Sequence, residues 1–229
     1  MTAPFPQDAY EIVTPRLIIR SATPDDAEAL YRLLSTPENQ PFDEVQPDLS
    51  PEVMLGRISR WGPQTASGLR AILMITLRET GELIGCGGFN CFETAAGETC
   101  DVALRRLLEE ETKAEDGGVE RGRRRITPYL TDFGVVLDHR HWGVGYGREV
   151  LCAQVEYAIN ELGCSIVRVE TTVENEPWRA VMKSVGLSRL ETKQPVSYGD
   201  KQIGFVYKID PATWNGVKED LKKSEKWLL

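Results

Sequence analysis

Histidine is scarce, cysteine comes as an odd set, and long apolar runs are missing from this 229-residue chain. The only two histidines, His139 and His141, flank a single residue beside a glycine run, and no neighbouring spacing supplies further ligands, so no metal is expected there. They read as loop residues first and as cleft-lining groups second. The five cysteines, Cys86, Cys91, Cys100, Cys152 and Cys164, contain no CxxC pair and fit neither a disulfide framework nor a zinc site, which leaves buried thiols. No run of about eighteen apolar residues occurs, and no basic segment precedes an apolar one at the N-terminus. Neither membrane insertion nor export is therefore expected, and a cytoplasmic, intracellular protein is. A basic excess is lacking as well: the net charge of −8 argues against a nucleic-acid or anionic-membrane partner, while leaving room for a locally basic pocket and a cationic substrate.

What is present is enough apolar residue, 41%, to build a substantial core. No internal repeat or second core is visible, so one domain over 1–229 is expected, with a core at about 12–210, an insertion at 91–127 and a polar tail at 211–229 that either docks or dangles. "RLIIRSA" (16–22) reads as a strand, and Thr23, Pro24 and two aspartates open a helix after it. Val53, Ile58 and Trp61 mark a second helix over 50–61 that ends near Gly62 and Pro63. The segments 70–79 and 82–90 flank a "TG" turn as a hairpin, with a bulge at the glycines 85, 87 and 88. The insertion is charge-rich and poor in β-branched residues, and its "RGRRR" run reads as solvated loop before nucleic-acid patch. From Tyr129 onward a strand, a glycine turn, a helix with Leu151, Val155, Ala158 and Leu162 on one stripe, and another strand follow in order. A helix over 177–186 and two late strands complete the pattern.

The glycine turn raises the functional question. Gly143, Gly145 and Gly147 stand where a helix begins, and each costs about 1 kcal/mol against alanine in a helical turn. What they offer in return is a run of bare N–H groups at a helix N-terminus, a site for an anion. Hydrogen bonds to a charged group contribute about 1.5–3 kcal/mol each, so two or three to a phosphate offset the glycines. Three phosphate ligands use such turns. A dinucleotide fingerprint from Gly143 needs glycine where Arg148 stands, and a triphosphate loop needs Lys followed by Ser or Thr where Arg148 and Glu149 stand. Coenzyme A remains.

The stretch "DFGVVLDHRHWGVGYGREVL", followed by "NEPWRAVMKSVGL", resembles the GNAT superfamily of N-acetyltransferases, in particular the branch containing ribosomal-protein N-terminal acetyltransferases. "TPRLIIR", "DDAEALYRLL" and "ELIGCGGF" occur in the order that such proteins show, and the likeness spans about 12–210 apart from the insertion. The fold this implies is α/β (α+β): a mixed, mostly antiparallel central sheet flanked by helices, with the charged insertion before the fourth core strand. The resemblance also implies acetyl-CoA as cosubstrate, with no metal, and an amine as acceptor. Main-chain amides among Trp142, Gly143, Val144, Gly145, Tyr146, Gly147 and Arg148 would surround the coenzyme's diphosphate, with Val135, Val136 and Leu137 pairing the pantetheine arm like an added strand and Asn175 contacting it. Trp142 reads equally as an aromatic packed under the turn. A homodimer is compatible.

An amine of pKa near 10.4 is neutral in only about one molecule in two thousand at pH 7, so attack on a thioester needs a proton acceptor. Asp132 occupies the place where relatives carry a Glu and is the first candidate, with a structural aspartate as the even alternative; Glu170 and Glu174, both placed on the following strand, come next. The oxyanion would meet the Leu137 amide. Relatives carry Tyr or Ser on the helix after the Asn to protonate the thiolate, but Trp178 and Met182 stand there, and Tyr146, Tyr198 and Tyr207 are the remaining hydroxyls. A non-catalytic acyl-CoA sensor is thus the competing expectation, and a nicotinamide oxidoreductase a distant third.

Overall fold

A computed structural model describes residues 5–42, 46–94, 129–198 and 202–229. Eight strands form one sheet: β1 (Glu11–Val13), β2 (Leu17–Ser21), β3 (Ala71–Leu77), β4 (Leu83–Thr94), β5 (Tyr129–Leu137), β6 (Ile166–Thr172), β7 (Thr192–Pro195) and β8 (Ile203–Ile209), in the spatial order β1-β2-β3-β4-β5-β6-β8-β7. Every neighbouring pair is antiparallel except β5 and β6, which a helix connects as parallel strands. The helices are α1 (Ala27–Ser35), α2 (Pro51–Ala66), α3 (Tyr146–Asn160), α4 (Glu176–Ser184) and α5 (Pro211–Lys223). No helix among the described residues is long and apolar enough to cross a membrane.

Alternation along the strands sends side chains to two apolar layers. Ala71, Leu73, Ile75, Phe89 and Phe133 join Leu151, Val155 and Ala158 of α3, Leu162 just beyond its end and Met182 of α4 on one face. Met74 and Cys86 join Leu30 and Leu33 of α1 and Met54 and Ile58 of α2 on the other. The expected α3 stripe is therefore core throughout.

Several boundaries differ from the sequence expectation. Helix α2 runs through Pro63 to Ala66, because a proline in the final turns forfeits one amide bond while its own carbonyl still accepts from Ser67 N at 3.0 Å, and Thr65 beyond it is buried. Its core seam is Met54 and Ile58, whereas Val53 is 39% exposed. Strand β4 extends to Thr94, so 91–94 belongs to the sheet and not to the insertion; 95–128, with Cys100 and "RGRRR", lie outside the described residues. One register shift falls between the pairs Ile75–Gly85 and Thr76–Leu83, which puts a bulge beside Gly85 as expected, and the other falls between Phe89 and Cys91; neither lies at Gly87 or Gly88. Gly87 is required instead by close approach, since a Cβ there would stand 2.1 Å from the Gly134 carbonyl oxygen. The tail docks: Trp214, Val217 and Leu221 of α5 are buried, and Trp214 Nε1 donates to Glu156 at 2.6 Å.

Candidate active site

The site starts where β5 and β6 part. Their parallel pairing runs from Leu130 opposite Ile166 to Phe133 opposite Val169 and stops, although both strands continue. On the other side β5 stays paired with β4 to its end, where Asp138 N donates to the Ile84 carbonyl at 2.8 Å. That bond sets the parity of the ladder: Val136 exchanges its bonds with Cys86, so the main-chain groups of Val135 and Leu137 point away from β4 and into the opening beside β6. The Leu137 carbonyl is met there by the Trp142 indole N–H at 2.9 Å. Trp142 is 42% exposed, so it lies across the opening and is not packed under the turn.

The turn that follows closes one end of the opening. Asp138 accepts from Arg140 N at 3.0 Å and from its guanidinium at 2.6 Å, which holds the Asp138 carboxyl below the usual range and starts a short 3-10 turn, His139–His141. His139 N and Nδ1 both meet Asn39 Oδ1, at 2.8 and 2.9 Å, so this histidine ties the turn to the segment after α1. Gly143 and Gly145 have φ of +78° and +90°, a left-handed conformation that disfavours any side chain. Gly145 caps α3, and the first intrahelical bond is Glu149 N to Gly145 O at 3.1 Å. The amides of Tyr146, Gly147 and Arg148 therefore have no acceptor within the helix. A Cβ on Gly147 would lie 3.6 Å from both Leu137 Cδ1 and Trp178 Cζ3, which brings the start of α3, the end of β5 and α4 to one place.

Charge is arranged around this turn by residues that sequence reading missed. Glu149, 1% exposed, accepts from Thr14 Oγ1 at 2.6 Å, Arg16 N at 3.0 Å and Arg16 Nε at 2.6 Å. The Arg148 guanidinium turns back to the Lys226 carbonyl, so its main-chain N–H is the part of that residue at the turn. Asn175 caps α4, its Oδ1 accepting from Trp178 N at 3.1 Å; its main-chain N–H donates to the Thr172 carbonyl at 3.3 Å, and its side-chain Nδ2 has no partner among the described residues.

On the opposite face of β5, Asp132 is 6% exposed and accepts from Asn90 Nδ2 at 2.9 Å and Arg168 Nε at 2.8 Å. Burial pushes its carboxyl up more than Arg168 and Asn90 draw it down. Arg168 Nε also stands 3.3 Å from Glu170, whose other oxygen accepts from Ser197 N and Oγ at 2.8 and 2.6 Å. The neighbouring Cys91 thiol is pushed up to about 12 by burial. Glu174 lies two residues beyond the end of β6 and is exposed, so it does not join this cluster. Met182 is buried in the core, Tyr198 is 54% exposed, and Tyr207 spends its hydroxyl on Glu191 at 2.5 Å. Tyr146 lies under the Arg16 guanidinium, 4.5 Å from its ring centroid. No group of three metal-ligating side chains occurs among the described residues.

The amides at the head of α3 that lack an acceptor within the helix thus lie next to a strand end whose main-chain groups open onto the gap between β5 and β6. Comparisons with known proteins give the family to which this arrangement belongs. Over 62 residues, 27% of this chain and 26% of the other, the sequence is 40% identical to the FsC-acetyl coenzyme A-N(2)-transacetylase of Aspergillus fumigatus. It is 22% identical over 178 residues to the uncharacterized N-acetyltransferase p20 of Bacillus licheniformis, covering 78% of this chain and 82% of that one. Among solved structures, RimJ of Mycobacterium smegmatis in complex with CoA-disulfide superposes with a TM-score of 0.63 at 16% identity, over 99% of this chain and 98% of that one. The ribosomal-protein-S5-alanine acetyltransferase of Vibrio fischeri gives 0.62 at 12% identity, over 90% and 98%. Residues 16–188 match the family described as the acetyltransferase (GNAT) domain, so this chain belongs to the GNAT acetyltransferases and takes acetyl-CoA as its cosubstrate.

Proposed function

We propose that this chain transfers the acetyl group of acetyl-CoA directly to an amine within a ternary complex. The observation that carries the reading is the left-handed glycine turn at the head of α3 facing the opening between β5 and β6. Amides of Tyr146, Gly147 and Arg148, with those of Gly143, Val144 and Gly145 beside them, bind the diphosphate; the Trp142 amide already donates to the His139 carbonyl at 3.1 Å, which leaves that residue its ring to line the site. Main-chain groups of Val135 and Leu137 pair the pantetheine arm, Val136 holds that strand against β4, and the unpaired Asn175 Nδ2 donates to the arm's far side.

Asp132 accepts the amine's proton, directly or through a water, and its burial places it nearer the working pH than an exposed aspartate. Glu170, one strand over and held by Ser197, is the alternative base. The Leu137 amide, turned toward the opening, donates to the oxyanion. The thiolate leaves unprotonated, since a free thiol has a pKa near 8.5 and the hydroxyl of α4, that of Ser184 in its last turn, is exposed and donates to the Val181 carbonyl at 2.7 Å. The acceptor is a protein N-terminus or a small amine: RimL is named as a ribosomal L7/L12 alpha-N-protein acetyltransferase, and the Aspergillus protein as an N(2)-transacetylase.

A mass-spectrometric screen of protein N-terminal peptides, polyamines, amino sugars and small xenobiotic amines with acetyl-CoA tests the reading. It predicts acetylation of at least one class with stoichiometric release of thiol. Tight coenzyme binding with no thiol released for any amine would assign the fold to a sensor instead.

A further inference from the structure

Between Gly143 and Gly145 the turn has no packed side chain of its own to hold its shape. Gly143 has open space on every side of a would-be Cβ, and Val144 is 56% exposed. Something else must fix the turn, and one residue from the far end of the sequence reaches it. Arg16 Nη1 donates to the Val144 carbonyl at 3.0 Å, its guanidinium carbon lies 4.5 Å from the Tyr146 ring centroid, and Nη2 stands 3.5 Å from the Cβ position of Gly145. A single planar group thus touches Val144 and Tyr146 and stands over the glycine between them.

The guanidinium is itself fixed. Its Nε donates to Glu149 at 2.6 Å, and Glu149 in turn accepts from the Arg16 amide and the Thr14 hydroxyl. A carboxylate this deeply buried persists only when paired and fully hydrogen-bonded, and its place in the first turn of α3 lets the helix dipole favour it as well. Glu149 neutralises Arg16, so the pair contributes geometry to the turn more than net charge. Lysine at position 16 would lack the fork that meets a carboxylate and a carbonyl in one plane.

We propose that Arg16, held by Glu149, is a positioning residue that sets the 143–146 turn in the shape that receives the diphosphate, and thereby couples the β1–β2 connection to coenzyme affinity. The inference rests on the acetyl-CoA reading above.

Calorimetry with two ligands tests it: acetyl-CoA, and S-acetylpantetheine, which carries neither phosphate of the diphosphate. Arg16→Ala is expected to weaken acetyl-CoA binding about tenfold or more while changing the affinity of the shorter thioester less than twofold, and Arg16→Lys is expected to follow it. Equal weakening of both ligands, or acetyl-CoA affinity within twofold of the wild type, overturns the proposal. If Arg16→Ala does not fold, Arg16→Lys decides on the same two ligands, and loss of fold in both variants assigns the contact to stability and overturns it equally. A wild-type chain that binds neither ligand would instead refute the acetyl-CoA reading itself.

Discussion

Two aspartates show how differently one residue type can be used. Asp26 opens the first helix: its carboxylate accepts from the Arg20 fork at 2.8 Å twice and from Thr23 N at 2.7 Å. Burial pushes its carboxyl up, but these donors outweigh burial and hold it below the ordinary value of 3.8. A lowered folded value means that stability is present above the unfolded pKa and is lost as pH falls through the folded one. Asp26→Asn is therefore expected to lose about 1–3 kcal/mol at pH 7 in urea unfolding, with the gap to wild type closing below pH 4; a constant gap across that range would contradict this. Asp132 is shifted the other way. As a base it predicts that Asp132→Asn cuts the acetylation rate by about 100-fold or more at pH 7, that the loss shrinks as pH approaches the amine's own pKa, and that acetyl-CoA affinity is retained. An unaltered pH–rate profile would remove Asp132 from the chemistry. Asp132 was legible from its place in the β5 motif. Arg16 and Glu149 were not, because nothing local links two residues 133 apart that only the sheet brings together.

At the scale of elements, periodicity located almost every strand and helix of the core, since each buries one face. It failed where a boundary depends on packing. Proline at 63 signals a helix end in the sequence, yet buried Thr65 keeps α2 going. The polar tail offered no decision because its apolar residues, Trp214, Val217 and Leu221, are spaced among lysines and acids, and only the groove beside α3 shows which face they cover. Trp214 is fully buried and its indole N–H is satisfied by Glu156. Trp214→Ala is thus expected to cost about 3–5 kcal/mol in denaturant unfolding. An unchanged midpoint would mean that α5 is an accessory and not part of the core.

For the molecule as a whole, the decisive feature is a sheet that is continuous on one side of β5 and opens on the other. Composition could not show that opening, which depends on where the β5–β6 register ends. The glycine turn, by contrast, was readable from three letters, because left-handed backbone and bare amides both demand glycine. The central claim joins the two: unpartnered amides at the head of α3 hold the diphosphate of acetyl-CoA while the arm lies in the opening. Titrating acetyl-CoA calorimetrically into the wild-type chain and into Gly145→Asp tests it most directly. Gly145 has a φ of +90°, so the substitution strains the turn, and it adds a carboxylate on a Cβ that would stand 3.5 Å from Arg16 Nη2, the group that holds the turn. The account predicts saturable binding to the wild type and none to the variant; undiminished binding by Gly145→Asp would contradict it.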